Sequence, residues 1–283
     1  MKSKKLPLFP LLKIPRVVSH SRVNRKEPDS AMKLGLVTYN LAPKWDLATI
    51  IKNCKATGFD GVEFRTTHAH GVEPSLTAEQ RKEVKKRCAD GGITIWGLGS
   101  TCEFHSPDPA VVRKHIATCA EFAQLAADIG ARGVKVRPNG IPKDVPVHKT
   151  LEQIGKSLAE CGKVAGDLGV EIWLEVHGKD SSHPPHIREI MDHCDHRAVG
   201  VCWNSNAGDI VNGSVKEYFN LLTKDIKSCH INELCNPAYP WRELFACFKQ
   251  INYDRFTLCE IAETTDPVRL MKYYRALWLE LQR

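Results

Sequence analysis

Four segments in the second half of the chain read as β-strands, and each ends in a residue able to bind a metal. They are Glu175 in IWLEVHG, Asn204 in VGVCWNSN, His230 in SCHINE and Glu260 in FTLCEIAE. The spacings are 29, 26 and 30 residues, about one strand-plus-helix unit each. Two carboxylates, one amide oxygen and one imidazole suit a divalent cation of intermediate hardness, a description that covers Mn2+, Mg2+, Co2+ and Zn2+. Any one of the four reads equally well as a polar residue capping a strand. All four at matched positions in consecutive units point to a site.

Residues so far apart meet only if the strand ends lie on one rim. The hydrophobic pattern supplies such a rim. Short runs rich in Val, Ile and Leu predict strands at 33–39, 60–65, 93–99, 133–137, 170–176, 198–203, 226–231 and 255–261. Helical segments separate them, at about 46–57, 77–90, 108–129, 148–168, 184–194, 214–223 and 240–250, with a last one from Asp266 to the C-terminus. Thr77 with Gln80 resembles a capping box, and Gly58, Gly130 and Gly169 stand where helices should stop. Strands apolar on both faces require cover on both sides, and strict strand–helix alternation argues for parallel order with right-handed crossovers. Eight units favour closure into a (β/α)8 TIM barrel over an open sheet, as a single domain over residues 32–283.

In such a barrel, chemistry sits at the C-terminal ends of the strands. The polar candidates there are Tyr39, Asn40, Glu63, Arg65, Glu103, His105, Lys135 and Arg137 from the first half. Glu175, His177, Asn204, Asn206, His230, Glu233, Glu260 and Glu263 come from the second. His177 lies two residues after Glu175, on the same face of its strand, and is expected to bind a substrate hydroxyl. Glu63 is expected to contact substrate or to orient a neighbour. Arg65 is a further substrate-binding candidate. Lys135 and Arg137 share a face and suit a carboxylate, a phosphate or a ketose oxygen, with a salt bridge to Glu103 or Glu63 as the alternative. Trp241, Tyr239 and Trp203 are candidates to stack on a sugar face, Trp203 being equally a core residue. His68 and His70 fall in a loop that covers the same rim.

Composition narrows the possibilities. The chain has 283 residues, 42% apolar and 26% charged, with a net charge of +7. Most of that charge lies in residues 1–31, which hold eight Lys/Arg against Glu27 and Asp29; the remainder is close to neutral. A nucleic-acid reader would carry its basic stripe on the folded part. Residues 1–31 also contain four prolines and read as a disordered basic tail, with a degenerate targeting peptide or an early start codon before Met32 as alternatives. No apolar run approaches the ~20 residues that span a bilayer. Eleven cysteines without a CxxC pair read as reduced core thiols and point to the cytoplasm. No GxGxxG, P-loop or GxSxG motif occurs, so neither a nucleotide cofactor nor a serine nucleophile is expected.

The motifs GFDGVEF (58–64), WLEVHG (173–178), VGVCWNSN (199–206), CHINE (229–233) and FTLCEI (256–261) resemble the sugar phosphate isomerase/epimerase family of xylose isomerase-like TIM barrels. The resemblance runs from residue 33 to about 280. It implies one divalent metal held by Glu175, Asn204, His230 and Glu260. It also implies a small carbohydrate substrate. The two glutamates would then take and return the proton next to a carbonyl through a metal-stabilised enediolate. Asn204 departs from the family pattern, which has Asp there, and takes one negative charge from the ligand set. A lyase or hydrolase acting on keto-sugar glycosides uses the same chemistry. A non-catalytic sugar-binding barrel is a further reading, supported by Asn204. An apurinic-site endonuclease would need a richer His/Asp/Glu set and a basic DNA face, and neither is present.

Overall fold

The structure, a computed structural model, describes residues 32–283. The expected tail at 1–31 lies outside the described residues. Eight strands alternate with eight helices: β1 (Lys33–Val37), α1 (Leu47–Thr57), β2 (Gly61–Arg65), α2 (Ala78–Asp90), β3 (Thr94–Glu103), α3 (Pro109–Ile129), β4 (Gly133–Arg137), α4 (Val147–Asp167), β5 (Glu171–Glu175), α5 (Pro184–Cys194), β6 (Val199–Asn204), α6 (Lys216–Leu222), β7 (Ile226–Ile231), α7 (Trp241–Gln250), β8 (Phe256–Cys259) and α8 (Pro267–Leu281). The strands are all parallel, pair in chain order, and close where β8 joins β1, forming the (β/α)8 TIM barrel.

Local signals account for the helix ends. Asp46 caps α1 by accepting the Thr49 N–H at 2.8 Å. The Thr77–Gln80 capping box opens α2, and Asp108 with Pro109 opens α3. Gly58 and Gly130 end α1 and α3 in the left-handed region, at φ 73° and 77°, where a Cβ would be strained. The clearest departure from the sequence reading is β3, which runs on to Glu103 instead of ending at residue 99. Its register against β4 shifts between Gly99 and Glu103, and Glu103 then pairs with Arg137. That irregularity brings Glu103 to the rim.

Alternate residues on each strand face inward, and the interior must be filled. Trp173 of β5 stacks on Trp96 of β3 with ring centroids 5.1 Å apart, and Phe256 of β8 packs on Trp96 at 4.9 Å. Val37, Cys202 and Leu258 complete this inner cluster. Both indoles find acceptors: Trp96 donates to Ser228 Oγ (3.0 Å) and Trp173 to Glu171 Oε2 (2.8 Å). Space for these rings comes from β1–β4. A Cβ on Gly133 would lie 2.5 Å from the Trp173 ring, and one on Gly61 would lie 2.5 Å from Phe256. The outward-facing residues, such as Val62, Leu98, Val134, Leu174 and Val201, join the larger core between sheet and helices.

Glu171 begins β5 at the end of the barrel opposite the candidate rim and is buried. It accepts from Arg255 Nη1 (2.7 Å) and Nη2 (3.0 Å) and from Arg132 Nη2 (2.8 Å). Burial alone would raise its carboxyl, but the Arg255 and Trp173 hydrogen bonds outweigh it and hold the group down at about 2. A depressed folded-state value stabilises the fold above the unfolded carboxylate range, and the effect is lost as pH falls through the folded value. Glu171→Gln is therefore expected to cost about 2 kcal/mol at neutral pH. In denaturant titrations the difference from wild type should shrink between about pH 5 and about pH 2. A difference that persists unchanged at low pH would mean that the charge of Glu171 is not what stabilises the fold.

Candidate active site

Strand alternation places Glu175 at the end of β5, two residues beyond Trp173, and Asn204 and His230 at the ends of β6 and β7. Glu260 follows β8 directly, its N–H bonded to Ile231 O at 2.9 Å. The four expected ligands do come together. His230 Nδ1 lies 3.1 Å from Glu175 Oε1 and 3.5 Å from Glu260 Oε2. One ligand atom from each of Glu175, His230 and Glu260 falls within 4.8 Å of the other two, and this is the single such convergence of three or more His, Cys, Asp or Glu side chains among the described residues. Asn204 Nδ2 donates to Glu175 Oε1 at 3.3 Å, which leaves its buried Oδ1 without a hydrogen-bond partner.

Glu175 is tightly held. Lys135 Nζ donates to its Oε2 at 2.8 Å, and both side chains are almost fully buried. Burial opposes the lysine charge, but Glu175 and Glu63 outweigh it and keep the ammonium above the usual lysine range. The Glu175 carboxyl is in turn held well below its usual range, because Lys135 and His230 outweigh the cost of burial. His230 Nε2 faces Glu63 Oε2 at 3.2 Å. Burial works against a charge on this imidazole too, but Cys202, Glu63 and Glu260 raise it well above its normal value. The order carboxylate–imidazole–ligand position is the one that fixes a metal-binding histidine in orientation.

This donor set fits a divalent cation. Glu63, Glu175 and Glu260 bring three negative charges and Lys135 one positive, leaving two to be balanced when His230 is neutral. The unpartnered Asn204 oxygen is an unused donor within the group. Glu175, Asn204, His230 through Nδ1, and Glu260 would hold the ion.

A cavity of about 270 Å³ opens beside these residues. Of the expected rim residues, Tyr39, Asn40, Arg65, Lys135, Arg137, Glu175, His177, Asn204, Asn206 and Glu260 line it. The His177 Nδ1 is buried and unpartnered. Arg137 realises the salt-bridge alternative, donating to Glu103 Oε1 at 2.5 Å, while Asn139 donates to the same oxygen at 2.6 Å. Lys135 pairs with Glu175 instead.

Two expected contacts are not on the cavity wall. Glu63 is wholly buried, and its bonded partner is His230, so it orients that ring. Trp241 opens α7 and is also buried; its indole donates to Asn236 O at 3.0 Å and its ring packs on Tyr239 at 4.4 Å. Trp203 is core, donating to the Tyr239 hydroxyl at 3.2 Å. His70 is pinned between Arg65 O and the Val72 N–H, and burial lowers it to about 4. His68 stacks on Tyr39. Asn232 also lines the cavity and was missed. The signal for it was available, since it follows His230 by two residues on the same face.

All eleven cysteines are free thiols, with Cys235 alone exposed. No helix among the described residues is long and apolar enough to cross a membrane.

The fold has many solved counterparts. The apo 3-keto-D-glucoside 4-epimerase YcjR of E. coli superimposes with a TM-score of 0.73 at 16% identity, covering 88% of this chain and 99% of that one. An L-ribulose 3-epimerase gives 0.75 at 18% identity, covering 89% and 96%. The IOLI protein, solved with a bound zinc atom, gives 0.71 at 16% identity, covering 88% and 96%. At these identities the likeness establishes a shared fold. No curated protein sequence matches. The family model for the xylose isomerase-like TIM barrel matches residues 51–277, most of the described chain. The chain belongs to the xylose isomerase-like TIM barrel family.

Proposed function

We propose that this protein is a divalent-metal-dependent isomerase or epimerase of a small carbohydrate, working by proton transfer at the carbon next to a carbonyl. The observation that carries the reading is the convergence of Glu175, His230 and Glu260 beside the unpartnered Asn204 oxygen, at the mouth of a cavity of monosaccharide scale. The sugar epimerases among the structural neighbours and the zinc in one of them support it. When bound, a divalent cation would polarise the carbonyl and stabilise enediolate charge as it develops.

The chain's own groups divide the remaining work. Glu175 and Glu260 are the acid/base pair. Both oxygens of Glu175 are committed, Oε2 to Lys135 and Oε1 to His230 and Asn204. Glu260 has one long contact to His230 and faces the cavity, so it is the freer base and is assigned the first proton abstraction. Lys135 holds Glu175 in place, and Glu63 holds His230. His177 offers an unpartnered ring nitrogen to a substrate hydroxyl.

Elemental analysis of the purified protein should find about one divalent metal per chain. Incubation with a panel of ketoses and keto-glycosides in D2O should place deuterium on the carbon next to the carbonyl. Product analysis then separates isomerisation from elimination of an aglycone. Absence of both metal and exchange would overturn the proposal in favour of a binding protein. Glu260→Gln keeps an oxygen ligand and removes the base, so exchange should fall by about 10²–10⁴-fold; unimpaired exchange would sink the two-glutamate scheme. Asn204→Asp restores a negative charge, and metal titrations should show tighter binding. An unchanged affinity would remove Asn204 from the ligand set.

A further inference from the structure

Three cations line the cavity, and two of them have carboxylate partners. Lys135 is paired with Glu175, and Arg137 with Glu103. Arg65 makes no ion pair among the described residues. Its one side-chain hydrogen bond runs from Nη1 to Thr66 O at 2.9 Å, and its guanidinium lies over the Tyr39 ring, 5.7 Å from the centroid. The backbone is fixed where β2 ends, the Arg65 N–H donating to Thr38 Oγ1 at 2.9 Å. The side chain is half-buried, yet none of the acids near it pairs with it. Glu63 bonds His230 through Oε2 and keeps a buried, unpartnered Oε1 that makes no ion pair with Arg65, and Glu175 and Glu260 belong to the ligand set. Nearby, Arg137 has a buried Nε with no partner.

A guanidinium presents a planar fork of donors that matches the two oxygens of a carboxylate or phosphate. Withdrawing one from water without an anion is unfavourable. Here burial and the neighbouring Arg137 lower the Arg65 pKa and outweigh Tyr39, Glu175 and Glu63, which act the other way. A bound cation at the four ligands would leave the wall still more positive. These features describe a place prepared for a negative group that the protein does not itself supply.

We propose that the substrate is an anionic ketose, carrying a carboxylate or phosphate that Arg65 binds with the help of Arg137 while the carbonyl end faces Glu175 and Glu260. This rests on the carbohydrate reading above and deepens it. Arg65 then determines specificity and takes no part in the proton transfer. Tyr39, stacked on His68, holds the guanidinium in place against the cavity wall.

The test compares three probes by calorimetry on the full-length protein as purified: D-fructose, its C6 carboxylate D-fructuronate, and D-fructose 6-phosphate. At least one charged probe should bind roughly tenfold or more tightly than fructose, the scale of one charge-assisted hydrogen bond. The stronger of the two identifies carboxylate or phosphate as the group recognised. In Arg65→Met the ratio between charged and neutral probes should collapse towards one, and Arg65→Lys should keep part of it. Equal or weaker binding of both charged probes by the wild-type protein would overturn the proposal without any variant. So would a preference that survives in Arg65→Met. Fructose binding without charge preference leaves the carbohydrate reading standing while this inference falls. If no ketose binds, neutral or charged, both fall together.

Discussion

A closed ring of eight strands encloses a fixed volume, and that volume governs the rest of this molecule. Inward positions recur every second residue, so each strand contributes only two or three side chains to the interior. Here the filling is uneven. Trp173 and Phe256 come from the later strands and Trp96 from β3, while Gly35, Gly61, Gly97 and Gly133 make room along β1–β4. On β5 the three inward residues stand in a column. Glu171 anchors one end through arginines, Trp173 fills the middle, and Glu175 emerges at the other end as a prospective ligand. The packed aromatic layer supports the polar rim, so Glu175 is placed by the same alternation that seats Trp173.

Above that layer electrostatics takes over. Two or three carboxylates in a buried space repel one another unless positive charge is interleaved. Lys135 provides it within hydrogen-bonding reach of Glu175, and His230 adds a second charge only when its Nδ1 carries a proton and holds no cation. Asn204, where the resemblance implies Asp, then reads differently from a simple loss. Asn204 and Lys135 both make the group less negative, while Glu63 behind His230 makes it more so. The total remains suited to a doubly charged ion, although the distribution is not the one the family pattern implies.

The barrel and its rim were legible in the sequence because both rest on period and spacing. Strand and helix order, the glycine stops and the four converging residues follow from alternation at one unit per about thirty residues. Contacts that cross between strands were less legible. The salt-bridge alternative for Lys135 and Arg137 named Glu103 or Glu63, and Arg137 takes Glu103, but Lys135 reaches the adjacent β5 and takes Glu175, because β4 and β5 run in register with Lys135 beside Trp173. The extension of β3 to Glu103 depends on a register shift that no local pattern announces. Trp241 looked available to a sugar, yet the start of α7 turns it into the core, and only packing decides that.

The glycine-rich side of the barrel has a consequence beyond volume. The strands that yield interior space, β1–β4, are also the ones that send Arg65, Lys135 and Arg137 to the cavity, whereas Glu175, Asn204, His230 and Glu260 all come from β5 onward. Under the proposed function the prospective ligands thus sit on one side of the barrel and the cavity's cations on the other, with His177 and Glu63 crossing that division. The two halves meet where Lys135 on β4 grips Glu175 on β5. That single ammonium group makes the one ion pair, among the described residues, joining a cavity cation to a prospective ligand.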